Sequence, residues 1–181
     1  MGVKARRYLS LLLIFIIILI LLINYNAVES SILTFLEGQI STLGYVGIFI
    51  TVFFLELVPQ PIVSPLLPMI TGIYFGFNYL NLLYIVLISS IISNYTAYFF
   101  GKIYGEPIVR FFMNERNYQR SIRWFDKHGK IGITLLALTP LPYFPVIGGI
   151  FKMKLHEFTL FAIIPRILHF IIFSYIILLA I

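Results

Sequence analysis

Polar side chains are scarce in this sequence, so those that interrupt its apolar runs are the first candidates for chemistry. Glu56 stands third from the end of the run GYVGIFITVFFLELV and is followed by Pro59, Pro61, Pro65 and Pro68. Arg166 and His169 lie in FAIIPRILHFIIF, three residues apart and so on one helical face. Asn94 and Tyr98 share a face of IISNYTAYFF by the same rule. An ionisable group in lipid is unstable by several kcal/mol unless it meets a partner, water or a substrate. Two roles are therefore open to Glu56 and Arg166. One is a structural ion pair that locks separate segments together. The other is a polar path for a charged head group or a proton, and a switchable pair serves both. Helical aromatic spacing favours a packed His169 over a titrating one. His128 and His156 have no metal-ligand spacing, Cys is absent, and Ser64 has no base in any recognisable motif. No catalytic residue, metal site or cofactor is expected, and the chain is read as a non-enzyme.

The elements that position these groups must be membrane elements. Of the 181 residues, 60% are hydrophobic and 11% charged. About a quarter would be charged in a soluble domain, so soluble folding is excluded as the starting class. The net charge of +6 does not point to nucleic acid. Its cations flank apolar segments: Lys4, Arg6 and Arg7 first, then a run from Lys102 to Lys130, then Lys152 and Lys154. That is the positive-inside pattern.

Tyr8–Ile23 follows a basic cluster and reads as a retained signal-anchor helix, because Tyr25 stands where a cleavage site after Ala27 wants a small residue. It puts the N-terminus in the cytoplasm. Asn24–Leu43 fits an amphipathic helix on the outer surface, with Ser30 or Ser31 as a cap. Gly44–Val58 and Ile62–Phe77 are apolar but too short to cross: 15 residues rise about 22 Å against a core of about 30 Å. Joined by prolines they make a re-entrant hairpin. Asn78–Phe100 is long enough to span, and Gly101–Lys130 reads as a cytoplasmic amphipathic helix with Trp124 at the interface. Ile131–Ile150 carries Pro140, Pro142 and Pro145 at its middle and fits a second re-entrant hairpin, and His156–Ile181 spans. The expected fold is an all-α integral membrane protein with three spanning helices, two opposed re-entrant hairpins whose tips are Pro59, Pro61, Pro140 and Pro142, and amphipathic interfacial helices.

The two hairpins repeat each other. GYVG, Pro59-Gln60-Pro61 and Gly72 answer to GKIG, Pro140-Leu141-Pro142 and Gly149, each followed by a span. Opposite sidedness makes this an inverted-topology repeat, with broken helices meeting near the midplane. The expected organisation is 1–43 as anchor and amphipathic segment and 44–181 as the membrane domain. Within the latter, 44–101 is the first repeat, 102–128 the cytoplasmic linker and 129–181 the second repeat.

LELVPQPIVSPLLPMITG, ISNYTAYFFGKIYG and LALTPLPYFPVIGGIFKMKLHEFTLFAIIPRILHFIIFSYIIL resemble the DedA family, also called the VTT or SNARE-associated domain, and the last segment is most similar to its YqaA-like branch. The resemblance implies paired re-entrant hairpins in a multi-pass cell-membrane protein that moves phospholipid or polyprenyl-phosphate across the bilayer. Glu56 matches the family's acidic residue ahead of the first Pro-x-Pro, and Arg166 the later arginine of that branch. The family's second acidic residue is absent, since Ile62, Val63 and Ser64 stand there, and so is the arginine ahead of the second tip, since Leu135–Leu138 are apolar. Arg166 then replaces that arginine as the phosphate contact.

The expected function is a lipid translocase or scramblase. Glu56, Arg166, His169, Asn94 and Tyr98 would form the head-group or proton path. The expected partners are a membrane lipid or lipid-linked phosphate, protons or cations, and a second copy in a homodimer, with no nucleic acid. An ion-coupled small-solute transporter and a structural membrane factor without transport are the alternatives.

Overall fold

The computed structural model describes residues 25–58, 63–112, 115–139 and 143–180. Among them the chain is all helix and turn, with no strand. The helices are α1 (Tyr25–Leu43), α2 (Tyr45–Leu57), α3 (Leu67–Tyr74), α4 (Tyr79–Phe112), α5 (Glu115–Ala137), α6 (Phe144–Ile150), α7 (Leu155–Phe158) and α8 (Ile164–Ala180), with a π-helical stretch, Thr159–Ile163, joining the last two. The expected anchor Tyr8–Ile23 and all four tip residues, Pro59, Pro61, Pro140 and Pro142, lie outside the described residues. Ser30 and Ser31 do not cap α1, which already starts at Tyr25.

Among the described residues, two helical segments are long and apolar enough to cross a membrane, Tyr79–Pro107 and Leu155–Leu179. Their 29 and 25 residues rise about 44 and 38 Å, more than the roughly 30 Å core requires. Their outward faces are apolar: Tyr84, Ile88 and Ile92 on α4 and Leu168, Ile172 and Ile176 on α8 are exposed. Together with the inward serines described below, this is the inversion expected where the solvent is lipid. The chain is a membrane protein.

α2 and α3 pair antiparallel. The Tyr45 ring meets Phe77 at 4.8 Å, its hydroxyl accepts the Asn78 N–H at 3.2 Å, and Ile48 packs on Gly72. α5 and α6 pair the same way, with Phe125 stacked on Phe151 at 4.5 Å and Ile133 and Phe144 in one core. The open end of the first pair lies at the start of α4. The open end of the second lies near the far end of α4, where Lys152 pairs with Glu106 at 2.6 Å. The pairs approach α4 from opposite ends.

α3 and α6 end alike. α3 ends with Phe77 N–H on Gly72 O and Gly76 N–H on Ile73 O. α6 ends with Met153 N–H on Gly148 O and Lys152 N–H on Gly149 O. Both are Schellman endings, and both place the residue after the cap in the left-handed region: Gly76 at φ 78 and Lys152 at φ 54. The next helices start at Tyr79 and Leu155, so Gly72, Gly76 and Tyr79 recur 76 residues on (148 − 72, 152 − 76, 155 − 79). Gly72 therefore answers to Gly148, one position before the Gly149 suggested by sequence matching.

Each pair fastens to α4 by a different device. Ser89 and Ser93, one turn apart, donate to Phe49 O at 2.6 Å and Phe53 O at 2.7 Å, which draws α2 close. Gly101 and Gly105 face Val146 and Ile150 of α6 with no side chain between them. Small residues and short inter-helix hydrogen bonds are the means of packing left where the hydrophobic effect between helices is lost.

Candidate functional site

α2 stops at Leu57 as the chain enters its proline cluster, and Glu56 sits in that last turn with its carboxylate fully buried. Opposite it stands Arg166, 2% exposed. The guanidinium grips the carboxylate with two nitrogens: Nη2 is ion-paired to Oε1, and Nε donates to Oε2 at 3.3 Å. This is a bidentate fork, the strongest geometry for such a pair. Oε2 also accepts from Asn94 Nδ2 at 2.8 Å and Ser90 Oγ at 3.2 Å. Arg166 Nη1 turns the other way, to Thr139 O at 2.5 Å and Ala137 O at 3.4 Å, where α5 ends. The rings of Phe170 (4.9 Å) and Phe144 (5.7 Å) lie near the guanidinium and add cation–π attraction.

One guanidinium thus bridges the last turn of α2 to the carbonyls that end α5. Each of those helices breaks before its chain turns back, so its final carbonyls have no intrahelical donor. A buried cation satisfies them while its other edge neutralises Glu56.

Local sequence aims Arg166. Pro165 has no N–H and its ring crowds the carbonyl four residues back, Phe161 O. The helix answers with the π stretch Thr159–Ile163, and Phe161 O is taken by Thr134 Oγ1 at 2.8 Å. Tyr95 Oη holds the same stretch through Thr159 Oγ1 at 2.7 Å. A π-bulge rotates everything after it relative to an unbroken helix, and such bulges are frequent at functional sites. Arg166 and His169 are the first polar residues beyond it.

His169 is buried one turn from Arg166. Its Nδ1 donates to Leu138 O at 2.8 Å and its ring lies on Phe173 at 4.4 Å, so it serves the carbonyls at the end of α5 rather than the carboxylate. Tyr98 stands apart: its hydroxyl donates to Met153 O at 2.5 Å and its ring stacks on Phe158 at 4.5 Å, inside the α4–α6 core. Glu56, Arg166, Asn94 and His169 come together, and Tyr98 does not join them. Ser90 belongs to the cluster as well. Its signal in the sequence was the i, i+4 spacing to Asn94 within an otherwise apolar helix.

Asn94 is saturated on one side only. Nδ2 serves Glu56, Ser90 O and Ser90 Oγ, whereas Oδ1 is the one buried side-chain polar atom among the described residues without a hydrogen bond. A buried acceptor left bare is unfavourable by about 1–3 kcal/mol, so the site retains capacity for a donor beside the carboxylate. Along α4, Ser90 and Asn94 lie 11 and 15 residues past Tyr79 (90 − 79, 94 − 79), in the central part of the 29-residue segment. Arg166 lies 11 residues into the second one (166 − 155). The charge cluster lies near the middle of both segments.

A family model described as the VTT domain matches residues 58–179, more than half of the chain. The match starts two residues after Glu56 and includes Asn94, Arg166 and His169. No curated protein and no solved structure matches the chain.

Proposed function

The chain belongs to the VTT domain family, also called DedA, and from that membership and its buried charge cluster we propose that it moves a phospholipid or polyprenyl-phosphate across the cell membrane, without chemistry on the lipid. The carrying observation is the Glu56–Arg166 pair at mid-depth, where helix pairs from opposite ends of α4 meet. Arg166 is the phosphate contact, and Glu56 releases it when the lipid arrives or when it gains a proton. Asn94 Oδ1 offers an acceptor to a hydroxyl or amine of the head group. The acyl or isoprenoid chains stay in the bilayer.

In this reading the two helix pairs are re-entrant hairpins and the anchor supplies a third span. What supports re-entry is length and depth. α2 rises only about 20 Å, and its final turn already reaches the middle of two full-length segments. The cation-rich end, with Lys102, Lys130, Lys152 and Lys154, faces the cytoplasm together with the N-terminus. The chain has no cysteine, so single cysteines at Gln60 and Leu141 can be labelled cleanly. Impermeant maleimide is expected to reach Gln60→Cys from outside only and Leu141→Cys from inside only. Labelling of both from one side sinks the opposed geometry.

The transport reading is tested in sealed vesicles with the purified chain and an NBD-labelled phospholipid or polyprenyl-phosphate, followed by dithionite reduction. The wild type is expected to expose the inner-leaflet label. Arg166→Ala is expected to slow exposure by about tenfold or more, the equivalent of one lost charge-assisted hydrogen bond of about 1.5–3 kcal/mol. No acceleration by folded wild type counts directly against translocation.

One observation favours the structural alternative. The pair is closed: the guanidinium has protein acceptors on both edges. The neutral pair Glu56→Gln/Arg166→Met, rather than a charge swap, separates the readings, because a glutamate at 166 would face the carbonyls of Ala137 and Thr139. A purely structural pair keeps its phenotype in that folded variant, whereas a phosphate contact is lost with Arg166.

A further inference from the structure

A groove of roughly 420 Å³ lies between α5 and α6, within the size range of small-molecule pockets. It is lined by apolar side chains that include Phe125, Leu136 and Ile147, by the ring of Trp124, and at one end by Arg120, its single charge among the described residues. Arg120 is exposed beside Arg116, Arg123 and Lys127 on the polar side of α5. The other end stops at Leu136, next to Ala137, whose carbonyl receives Arg166. From Arg120 to Leu136 is 16 helical residues (136 − 120), about 24 Å, long enough for one extended acyl chain.

We propose that this groove holds one acyl chain of an anionic membrane phospholipid, with the phosphate on Arg120 and the Trp124 indole at the head-group boundary. The pattern is one of charge complementarity. A cation caps an apolar trough, an indole ring that is 58% exposed lines the trough beside it with an N–H to donate, and further cations raise the local concentration of anionic lipid. Gly132 keeps the trough open. A Cβ added there meets nothing within 4 Å, in contrast to Gly149, where one would strike backbone. A glycine in mid-helix is unfavourable relative to alanine, and here it leaves space that no protein atom uses.

The inference rests on the proposed function only so far as the chain handles lipid, and it requires no translocation. Trp124 is the sole tryptophan of the chain, so its fluorescence reports the groove directly. The full chain in detergent micelles is titrated with phosphatidylglycerol brominated in its acyl chains and, separately, with brominated phosphatidylcholine. Quenching is expected to saturate, at about fivefold lower concentration for the anionic lipid, the preference one cation near an anionic surface supplies. Arg120→Gln is expected to remove most of the preference for the anionic lipid, leaving the smaller part that the neighbouring cations supply. Gly132→Leu, which fills the trough with a better helix former, is expected to remove the saturating component while the helical circular dichroism persists. Equal, non-saturating quenching by both lipids, or unchanged quenching in Gly132→Leu, means the ring merely faces bulk chains and overturns the site. Saturable binding by a chain that moves no lipid keeps this site and removes the proposed function. Translocation without saturable quenching does the reverse.

Discussion

Arg166→Met alone is expected to destabilise the protein by about 3–5 kcal/mol, and Glu56→Gln/Arg166→Met together to restore most of that loss. The asymmetry follows from who is left behind. Glu56 is fully buried, and of the donors around it only Ser90 and Asn94 survive the loss of Arg166. Those are two neutral hydrogen bonds, against the desolvation of a whole carboxylate. The carbonyls of Thr139 and Ala137 lose their cation at the same time. In the double variant no charge is buried. Glutamine still accepts from Asn94, and methionine fills the space between Phe144 and Phe170. Unfolding in mixed micelles, followed by circular dichroism, checks both parts. A single variant within 1 kcal/mol of the wild type would mean that water reaches the carboxylate. A double variant that is stable yet inactive in the vesicle assay would separate the pair's structural role from its use.

Much of this site was legible because the sequence leaves few choices. Within its apolar segments Glu56 and Arg166 are opposite charges, and membrane burial obliges them to find partners. Their separation of 110 residues says nothing of contact, but the shortage of alternatives does. Asn94 was legible by the same logic. Tyr98 shows where spacing misleads: one turn from Asn94, it lies on the same face of α4, yet α4 is long enough for that face to meet α2 at one turn and α6 at the next. Periodicity identifies a face and not its partner.

Boundaries were less legible for a related reason. Polarity changes after Phe100 and again near Gly129, but α4 runs on to Phe112 and α5 crosses from Glu115 to Ala137 without a break. A helix does not end where its surroundings turn polar; it ends where hydrogen bonding or sterics stop it. The limb expected over Ile62–Phe77 shrinks to an α3 of Leu67–Tyr74, since Pro65 and Pro68 admit a helix only from its first turn. The π stretch has no sequence signature of its own. Pro165 with Thr134 across from it is the only trace, and that pairing exists only once α5 and the last helix are packed.

Gly149→Val is expected to separate α4 from α6 and to destabilise the fold by about 3 kcal/mol or more. Any Cβ at Gly149 would clash with the carbonyl oxygen of Tyr98 and come within 2.7 Å of the Lys102 N–H nitrogen. Both belong to the backbone of α4, so no rotamer change relieves the contact. On the facing helix, Gly101 and Gly105 press on Val146 and Ile150 in the same manner, which makes Gly101-x-x-x-Gly105 a close-packing seam of the small-xxx-small kind. Moving α6 outward would pull Met153 from the Tyr98 hydroxyl and disturb Phe144 under the Arg166 guanidinium. The charge cluster would therefore loosen although no residue in it is changed. Gly132→Ala is the control: it adds the same kind of carbon to open space, and removing a mid-helix glycine is expected to raise stability by about 0.8–1 kcal/mol. Opposite shifts of the two unfolding midpoints would locate the constraint in helix contact rather than in glycine as such. A Gly149→Val protein with a wild-type midpoint would mean that α4 and α6 do not touch as closely as described.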